Sequence, residues 1–210
     1  MPTQPAANCK RCPRLQKFRV ESGERYPGYH AAPVPAFGDE APSWLIVGLA
    51  PGMHGANRTG RPFTGDHAGI LLYATLHELG VSSALESIHR DDGLRLSGVR
   101  ISNAVKCVPP ANKPLPAEIR SCNAYLKSEL QELSTVRVIV ALGRIAHDAT
   151  LDALQLPRSQ YRFAHAAEHA LPDGRWLIDS YHCSRYNTQT RRLTAKMFTT
   201  VLTRAKTLAE

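Results

Sequence analysis

The chain has 210 residues, of which 43% are hydrophobic, enough for one globular core. Its formal net charge of +8 suits a polyanionic partner such as nucleic acid, although charge alone does not decide the matter. No apolar run approaches the roughly 20 residues that span a bilayer, and the N-terminus lacks a signal-peptide pattern. We therefore expect a single domain over residues 1–210, acting as a cytoplasmic monomer without membrane contact.

Four short apolar runs rich in β-branched residues are predicted to form buried strands, at 44–50, 99–105, 136–142 and 176–181. Helical patterns follow them. One helix is capped by Asp66 and ended by Gly80, a second covers 116–133, a third runs from Gly143 to Leu154, and the last is capped by Thr194. Alternating strands and helices predict an α/β fold, a three-layer αβα sandwich around a central, mainly parallel four-stranded sheet.

The loops that follow the predicted strands are the places to look for a site. In open parallel sheets, ligands bind beyond the carboxyl ends of the strands. The loops concerned are 50–66, 106–116, 143–144 and 182–192, and polar residues are dense in the first, second and fourth. This pattern predicts one active site built from these loops.

Four of the five cysteines are spaced as a metal site would require. Cys9 and Cys12 form a Cys-x-x-Cys pair, and Cys107 and Cys122 can complete four thiolates for zinc or for an iron–sulfur cluster. Spacing does not choose between the two. Alternatively, Cys107 and Cys122 are small buried hydrophobic residues. Cys183 is not assigned as a ligand, and local packing is its expected role.

The glycine-rich loop at 48–66 does not bind nucleotide phosphates in the P-loop manner. Arg61 and Pro62 replace the Lys-Ser/Thr that would hold phosphate and magnesium. What remains is either an ordinary turn-rich connection or a loop whose glycines let the backbone approach a ligand. In the second case Phe63 is available for stacking, and Asp66 supplies a carboxylate.

Several ordered motifs together resemble one known family. They are Gly48-Leu-Ala-Pro51, His54-Gly-Ala-Asn-Arg-Thr-Gly-Arg61, Phe63-Thr-Gly-Asp66, Ser102-Asn-Ala-Val-Lys-Cys107-Val-Pro-Pro110, Asn112-Lys-Pro114, Ser180-Tyr-His-Cys-Ser-Arg-Tyr-Asn-Thr188 and Arg192-Leu-Thr194. From Cys9 to the last helix, the chain resembles the family 5 (type b) branch of the uracil-DNA glycosylase superfamily. The resemblance implies removal of uracil and related damaged bases from double-stranded DNA. It also implies a [4Fe–4S] cluster held by Cys9, Cys12, Cys107 and Cys122, which ties in the N-terminal segment.

The resemblance also implies roles for residues that would contact a base flipped out of the duplex. Phe63 matches the stacking residue, and Asn103 matches an amide that reads the pyrimidine edge. His182 matches the histidine that donates a hydrogen bond to the base carbonyl as charge develops there. Without this context, a strand-end Asn can simply cap a turn, and a lone His is more often a packed residue.

The sequence departs from the better-known branches at Ala50, where they carry an Asp or Asn that activates water. We therefore assign Asp66 the leading role in orienting or activating water, assisted by Asn112. Ala50 and His54 are expected to line a roomy pocket that accepts uracil, hydroxymethyluracil, ethenocytosine and hypoxanthine.

Basic residues after His182 are expected to contact DNA phosphates, namely Arg185, Arg191 and Arg192, while Tyr186 is expected to wedge into the base stack.

Two alternative functions stay open. The first is a catalytically silent iron–sulfur DNA-binding protein of the same fold, suggested by Ala50 and by Cys183, which stands where proline is common. The second is a zinc-binding structural protein.

Overall fold

A six-stranded sheet forms the centre of the fold, which a computed structural model describes for residues 3–210. The strands are β1 (Phe37–Gly38), β2 (Trp44–Gly48), β3 (Val99–Asn103), β4 (Val138–Leu142), β5 (Glu168–Ala170) and β6 (Trp176–Ser180). Their order is β1-β3-β2-β4-β6-β5. The inner four pair in parallel, and β1 and β5 add to the edges in antiparallel sense.

The four predicted strands are thus confirmed as the parallel centre of the sheet, and each lies within its predicted bounds and is one or two residues shorter. The prediction of four strands in all was wrong, because the sheet has six. The two additional strands have only two and three residues. Neither contains enough residues to show the alternating burial that marks a strand in a sequence.

The helices are α1 (Pro13–Arg25), α2 (Ala56–Thr59), α3 (His67–Glu78), α4 (Pro116–Glu132), α5 (Arg144–Ala153), α6 (Arg185–Gln189) and α7 (Ala195–Ala209). The four predicted helices are α3, α4, α5 and α7. Asp66 and Thr194 cap α3 and α7 as predicted, by accepting hydrogen bonds from the Gly69 and Met197 amides. The other three helices were not predicted.

Alternate residues of the central strands face opposite layers, which gives the predicted three-layer sandwich. On β2, Trp44 and Ile46 pack in a core that includes Leu72 of α3 and Phe198 of α7. Their neighbours Leu45 and Val47 pack on the other side, in a core shared with α4 and α5. Because β2 and β4 are covered on both faces, their sequences are continuously apolar rather than alternating.

A smaller third core joins α1 to the end of β3 and to α4. Leu15 of α1 is buried there with Val105, Cys122 and Tyr125. This packing brings the N-terminal cysteines beside the two later ones. Among the helices of residues 3–210, none has the length and apolar character needed to cross a membrane.

Candidate active site

A cleft of about 1150 Å³ opens at the carboxyl ends of the parallel strands. All four loops predicted to meet there contribute to its lining. Eight of the predicted site residues line it: Ala50, His54, Phe63, Asp66, Asn103, Asn112, His182 and Arg185. Tyr186, Arg191 and Arg192 lie outside this lining, further along the same surface loop.

One wall of the cleft brings together an aromatic ring, an amide and an imidazole. The rings of Phe63 and His182 are stacked, with centroids 5.9 Å apart and planes 28° from parallel. Gly48, the last residue of β2, allows Phe63 and Asn103 to converge. A β-carbon at Gly48 would lie 2.5 Å from Asn103 Oδ1 and 2.6 Å from Phe63 Cζ. This wall offers a planar surface beside hydrogen-bonding groups, which suits a flat polar ring such as a nucleobase.

The backbone of Phe63 is held in the left-handed region, with φ of +52°. A strained residue of this kind persists only when its surroundings fix it. Tyr73 donates a hydrogen bond to the carbonyl of Pro62 at 2.9 Å, and the buried Arg61 donates to Thr64 Oγ1 at 3.0 Å. The Arg61 guanidinium also bonds Ser87 Oγ at 2.6 Å. Sequence reasoning did not identify Arg61 as a support of the cleft, because an arginine in a glycine-rich loop gives no sign of burial.

The two carboxylate oxygens of Asp66 have different surroundings. Oδ1 accepts the Gly69 amide at 3.0 Å and so caps α3. Oδ2 faces the glycine-rich loop, where a β-carbon at Gly55 would lie 2.3 Å from it. Burial raises the pKa of Asp66, and hydrogen bonds from the Gly69 and Ala68 amides oppose part of this rise. A carboxylate with raised proton affinity beside an open cleft can orient water and accept its proton.

His182 is a neutral imidazole at pH 7, because burial lowers its pKa to about 4. A neutral ring retains one N–H that can donate to an oxygen on which negative charge develops. The carbonyl of His182 accepts the Asn187 side-chain amide at 2.8 Å, which ties it to α6. The neighbouring Cys183 is fully buried in the core beside α3 and α7, and burial raises its pKa. Cys183 is therefore a packing residue, as expected.

His54 and Asn112 line the cleft from two different loops. Nδ1 of His54 lies 2.9 Å from the Tyr29 hydroxyl, and Tyr29 is itself stacked on Tyr26 at 4.8 Å. These two tyrosines were not identified from the sequence, because they lie far from the motif that contains His54. Asn112 is exposed and has a φ of +56°.

The outer surface beside the cleft carries several cations. Arg185 lines the cleft, as do Arg58 and Arg144, which sequence reasoning did not single out. Further out, the Arg192 guanidinium lies 4.5 Å from the centre of the Tyr181 ring, and Tyr186 is 70% exposed. Arg191 is also exposed. The cations are spread over a surface much wider than the cleft itself.

The four cysteines at positions 9, 12, 107 and 122 line a separate small cavity of about 20 Å³. N–H groups point at two of the sulfurs: Arg19 Nη1 lies 3.4 Å from Cys107 Sγ, and the Lys106 amide lies 3.3 Å from Cys122 Sγ. Burial raises the pKa of Cys107 to about 12, although the Arg19 charge opposes the rise. As free thiols these groups are neutral, whereas thiolates here need the positive charge of bound metal. The donor set therefore fits a thiolate-ligated metal centre.

A buried ion pair ties α5 to β6 and was not foreseen from the sequence. Nδ1 of His147 lies 2.7 Å from Asp179 Oδ1, and its Nε2 lies 3.0 Å from the Tyr161 carbonyl. A carbonyl only accepts and a carboxylate attracts a proton, so both ring nitrogens face acceptors. Burial opposes protonation, but Asp179 raises the pKa of His147 overall. His169 also contacts Asp179, at 3.3 Å.

Residues 35–206 match the family model of the uracil DNA glycosylase superfamily. The chain belongs to the uracil-DNA glycosylase superfamily. It is 53% identical to the type-5 uracil-DNA glycosylase of Thermus thermophilus over 206 residues, which cover 96% of this chain and 94% of that protein. It is 41% identical to the type-5 uracil-DNA glycosylase of Pyrobaculum aerophilum over 202 residues, covering 94% and 88%.

Similarity to a second branch of the superfamily is lower. The type-4 uracil-DNA glycosylase of Pyrobaculum aerophilum is 35% identical over 148 residues, which cover 70% of this chain and 61% of that protein. The family resemblance inferred from the motifs, and with it the α/β fold of the superfamily, is therefore confirmed.

Proposed function

We propose that this chain is a DNA-repair glycosylase that hydrolyses the N-glycosidic bond of uracil in double-stranded DNA and leaves an abasic site. The observation that supports this best is the meeting of Phe63, Asn103, Asp66 and His182 in one cleft. Such a cleft offers a stacking surface, an amide for the base edge, a carboxylate for water and a hydrogen-bond donor for the leaving base.

The base binds against the wall described above, where the absence of a side chain at Gly48 lets Phe63 and Asn103 converge. A uracil flipped out of the duplex stacks on Phe63, and the Asn103 amide bonds its polar edge through one donor and one acceptor. As the bond to the sugar breaks, negative charge moves into the base. The neutral His182 donates a hydrogen bond to a base carbonyl oxygen and stabilises that charge.

Water is delivered to the sugar by Asp66. As the C1′–N bond breaks, the bond electrons leave with the base. The water oxygen then bonds to C1′, and Asp66 Oδ2 accepts a water proton. Asn112, at the edge of the same cleft, assists by hydrogen bonding to this water.

Breadth of substrate follows from Ala50. Ala50 contributes no more than a methyl group to the lining, which leaves more room than an Asp or Asn side chain would for bases larger than uracil. We propose that hypoxanthine, ethenocytosine and hydroxymethyluracil are also released. His54 lines the same cleft and is held by Tyr29.

The four cysteines are proposed to hold a [4Fe–4S] cluster rather than zinc. Among residues 3–210, no three of these sulfurs lie within 4.8 Å of one another. One tetrahedral zinc ion with bonds of about 2.3 Å holds its sulfurs about 3.8 Å apart. A [4Fe–4S] cluster would take one thiolate from each of these four cysteines, and their wider separation suits such a group better than a single zinc ion. The cluster would bind the N-terminal segment to β3 and α4, making residues 1–210 one domain.

The surface around Arg185, Arg191 and Arg192 is proposed to bind DNA phosphates, with Tyr186 inserted into the base stack. The logarithm of the DNA-binding constant falls linearly with the logarithm of salt concentration, and each phosphate contact adds about 0.9 to the steepness of that fall. Replacing Arg191 and Arg192 with Gln should therefore make this negative slope less steep by about 1.8 if both bind phosphate. An unchanged slope would remove them from the DNA interface. The proposed partner is damaged double-stranded DNA, bound by a monomer in the compartment that holds the genome.

The alternative of a catalytically silent DNA-binding protein has little support. It rested on Ala50 and Cys183, and the packing of Cys183 in the core accounts for that residue. The test is base release from duplexes carrying uracil, hypoxanthine or ethenocytosine, scored by alkaline cleavage at the abasic site. Release of uracil and at least one larger base supports the proposal. No release by protein with a full complement of iron would favour the silent protein instead.

A further inference from the structure

The segment that carries Asn112 has few backbone hydrogen bonds of its own. Prolines at 109, 110, 114 and 116 remove four amide donors from it. The amides of Asn112 and Lys113 bond only to carbonyls within the segment, at 3.2 and 3.0 Å. Ala111 and Asn112 both have positive φ, of +52° and +56°. Two consecutive left-handed residues other than glycine need support from outside the segment.

Arg14 of α1 provides such support. Its Nε and Nη2 atoms bond the two carboxylate oxygens of Glu118, each at 2.7 Å. The same Nη2 also donates to the Lys113 carbonyl, the residue next to Asn112, at 3.2 Å. Glu118 in turn accepts the Leu115 amide at 2.7 Å, and its side chain is only 7% exposed. One guanidinium therefore links the segment after Asn112 to the first turn of α4.

We propose that Arg14 is a positioning residue for base release, which holds the Asn112 segment at the edge of the cleft. The inference rests on the proposed role of Asn112. A bidentate arginine–carboxylate pair fixes orientation as well as distance, unlike an ordinary surface ion pair. A lysine at position 14 could keep an ion pair with Glu118, but it could not form the planar fork and bond Lys113 at once.

The contact also connects the cysteine cavity with the cleft. Cys12 is the residue immediately before α1, and Cys107 and Cys122 lie on either side of the Asn112 segment in the sequence. A metal centre bound by the cysteines would thereby also fix α1, the helix that carries Arg14. The N-terminal segment is far in sequence from the loops that line the cleft, yet it thus positions one of them.

Amide hydrogen exchange tests the holding of the segment without any substrate. Arg14→Gln and Arg14→Lys should both raise the exchange rate in a peptide covering 111–115, and leave the core strands unchanged. The matched control is Lys17→Gln, an exposed cation of the same helix whose one ion pair within residues 3–210 is with Glu21 at 3.8 Å. Equal iron content in all variants shows that the cysteine site is intact. Unchanged exchange in 111–115 would overturn the proposal.

A double-mutant cycle with Asn112→Ala tests whether Arg14 acts through Asn112. Arg14→Gln should lower kcat on a uracil duplex about tenfold with little change in KM, since a misplacement of 1 Å can lower rates by about 10²-fold. Added to Asn112→Ala, it should cause no further loss. Additive losses, or an unchanged kcat, would overturn the proposal. If the wild type releases no base, the proposed function fails, and the exchange experiment still decides whether Arg14 holds the segment.

Discussion

Replacing Asp66 with Asn or with Ala separates the observed helix cap made by Oδ1 from the water activation proposed for Oδ2. Asn keeps a side-chain oxygen that can cap α3 through the Gly69 amide, whereas Ala does not. Loss of a cap destabilises a protein by about 1 kcal/mol, which is a melting temperature lower by about 2–4 °C for a chain of this size. Both substitutions remove the carboxylate that is proposed to accept the proton of water.

The sign of the charge effect on stability follows from the raised pKa of Asp66. The stability that the neutral form provides is lost as pH rises through the folded-state pKa. At neutral pH the buried carboxylate is therefore less favourable than an amide of the same shape. We expect the Asn variant to melt at or above the wild-type temperature and the Ala variant to melt below the Asn variant.

Turnover should behave differently from stability. Both variants should lose about 10²- to 10⁴-fold in single-turnover release of uracil, the usual contribution of a positioned general base. Thr194→Ala is the matched control, because Thr194 caps α7 in the same way, through the Met197 amide at 3.2 Å, away from the cleft. It should lower the melting temperature and leave turnover intact. An Asn variant with wild-type turnover would refute the role of Asp66, and one that melts like the Ala variant would refute the account of the cap.

Three further predictions concern the cleft and the cysteine site. Gly55→Ala should abolish most turnover, because its β-carbon would lie 2.3 Å from Asp66 Oδ2; Gly52→Ala, at 3.4 Å, should be tolerated. Equal activity of the two variants in the base-release assay would contradict this. In a pH profile, kcat/KM should fall on the acid side as Asp66 is protonated, at a pH above the ordinary carboxyl value of 3.8. An acid limb at or below pH 3.8 would contradict it. Removing iron with a chelator should bleach visible absorbance and lower the melting temperature; unchanged melting would show that the cysteines hold no structural centre.

The central strands could be predicted from the sequence because both faces of the sheet are covered. Burial on both faces favours a continuous apolar run, and β2 and β4 show this directly. The helix α1 lacks such a signal. Its buried positions are Leu15, Arg19 and Ser22, so two of the three are polar and the apolar periodicity is absent.

The predicted site residues on strand ends and next to glycines could be placed together because parallel strands all end at the same edge. The supports of these residues could not be predicted. Arg61 and Arg14 act through contacts 26 or more residues away in sequence, with Ser87 and with Lys113. Their burial and their partners depend on how loops fold over one another, and a single sequence carries no local pattern for this.

The most direct test of the account is single-turnover release of uracil from a duplex by the iron-loaded wild type, beside a variant that carries both Asp66→Asn and His182→Ala. The account predicts complete release by the wild type and almost none by the variant, with both proteins folded and binding the duplex. Release by the doubly substituted variant at the wild-type rate, or no release by the wild type, would contradict the claim that this cleft removes uracil from DNA.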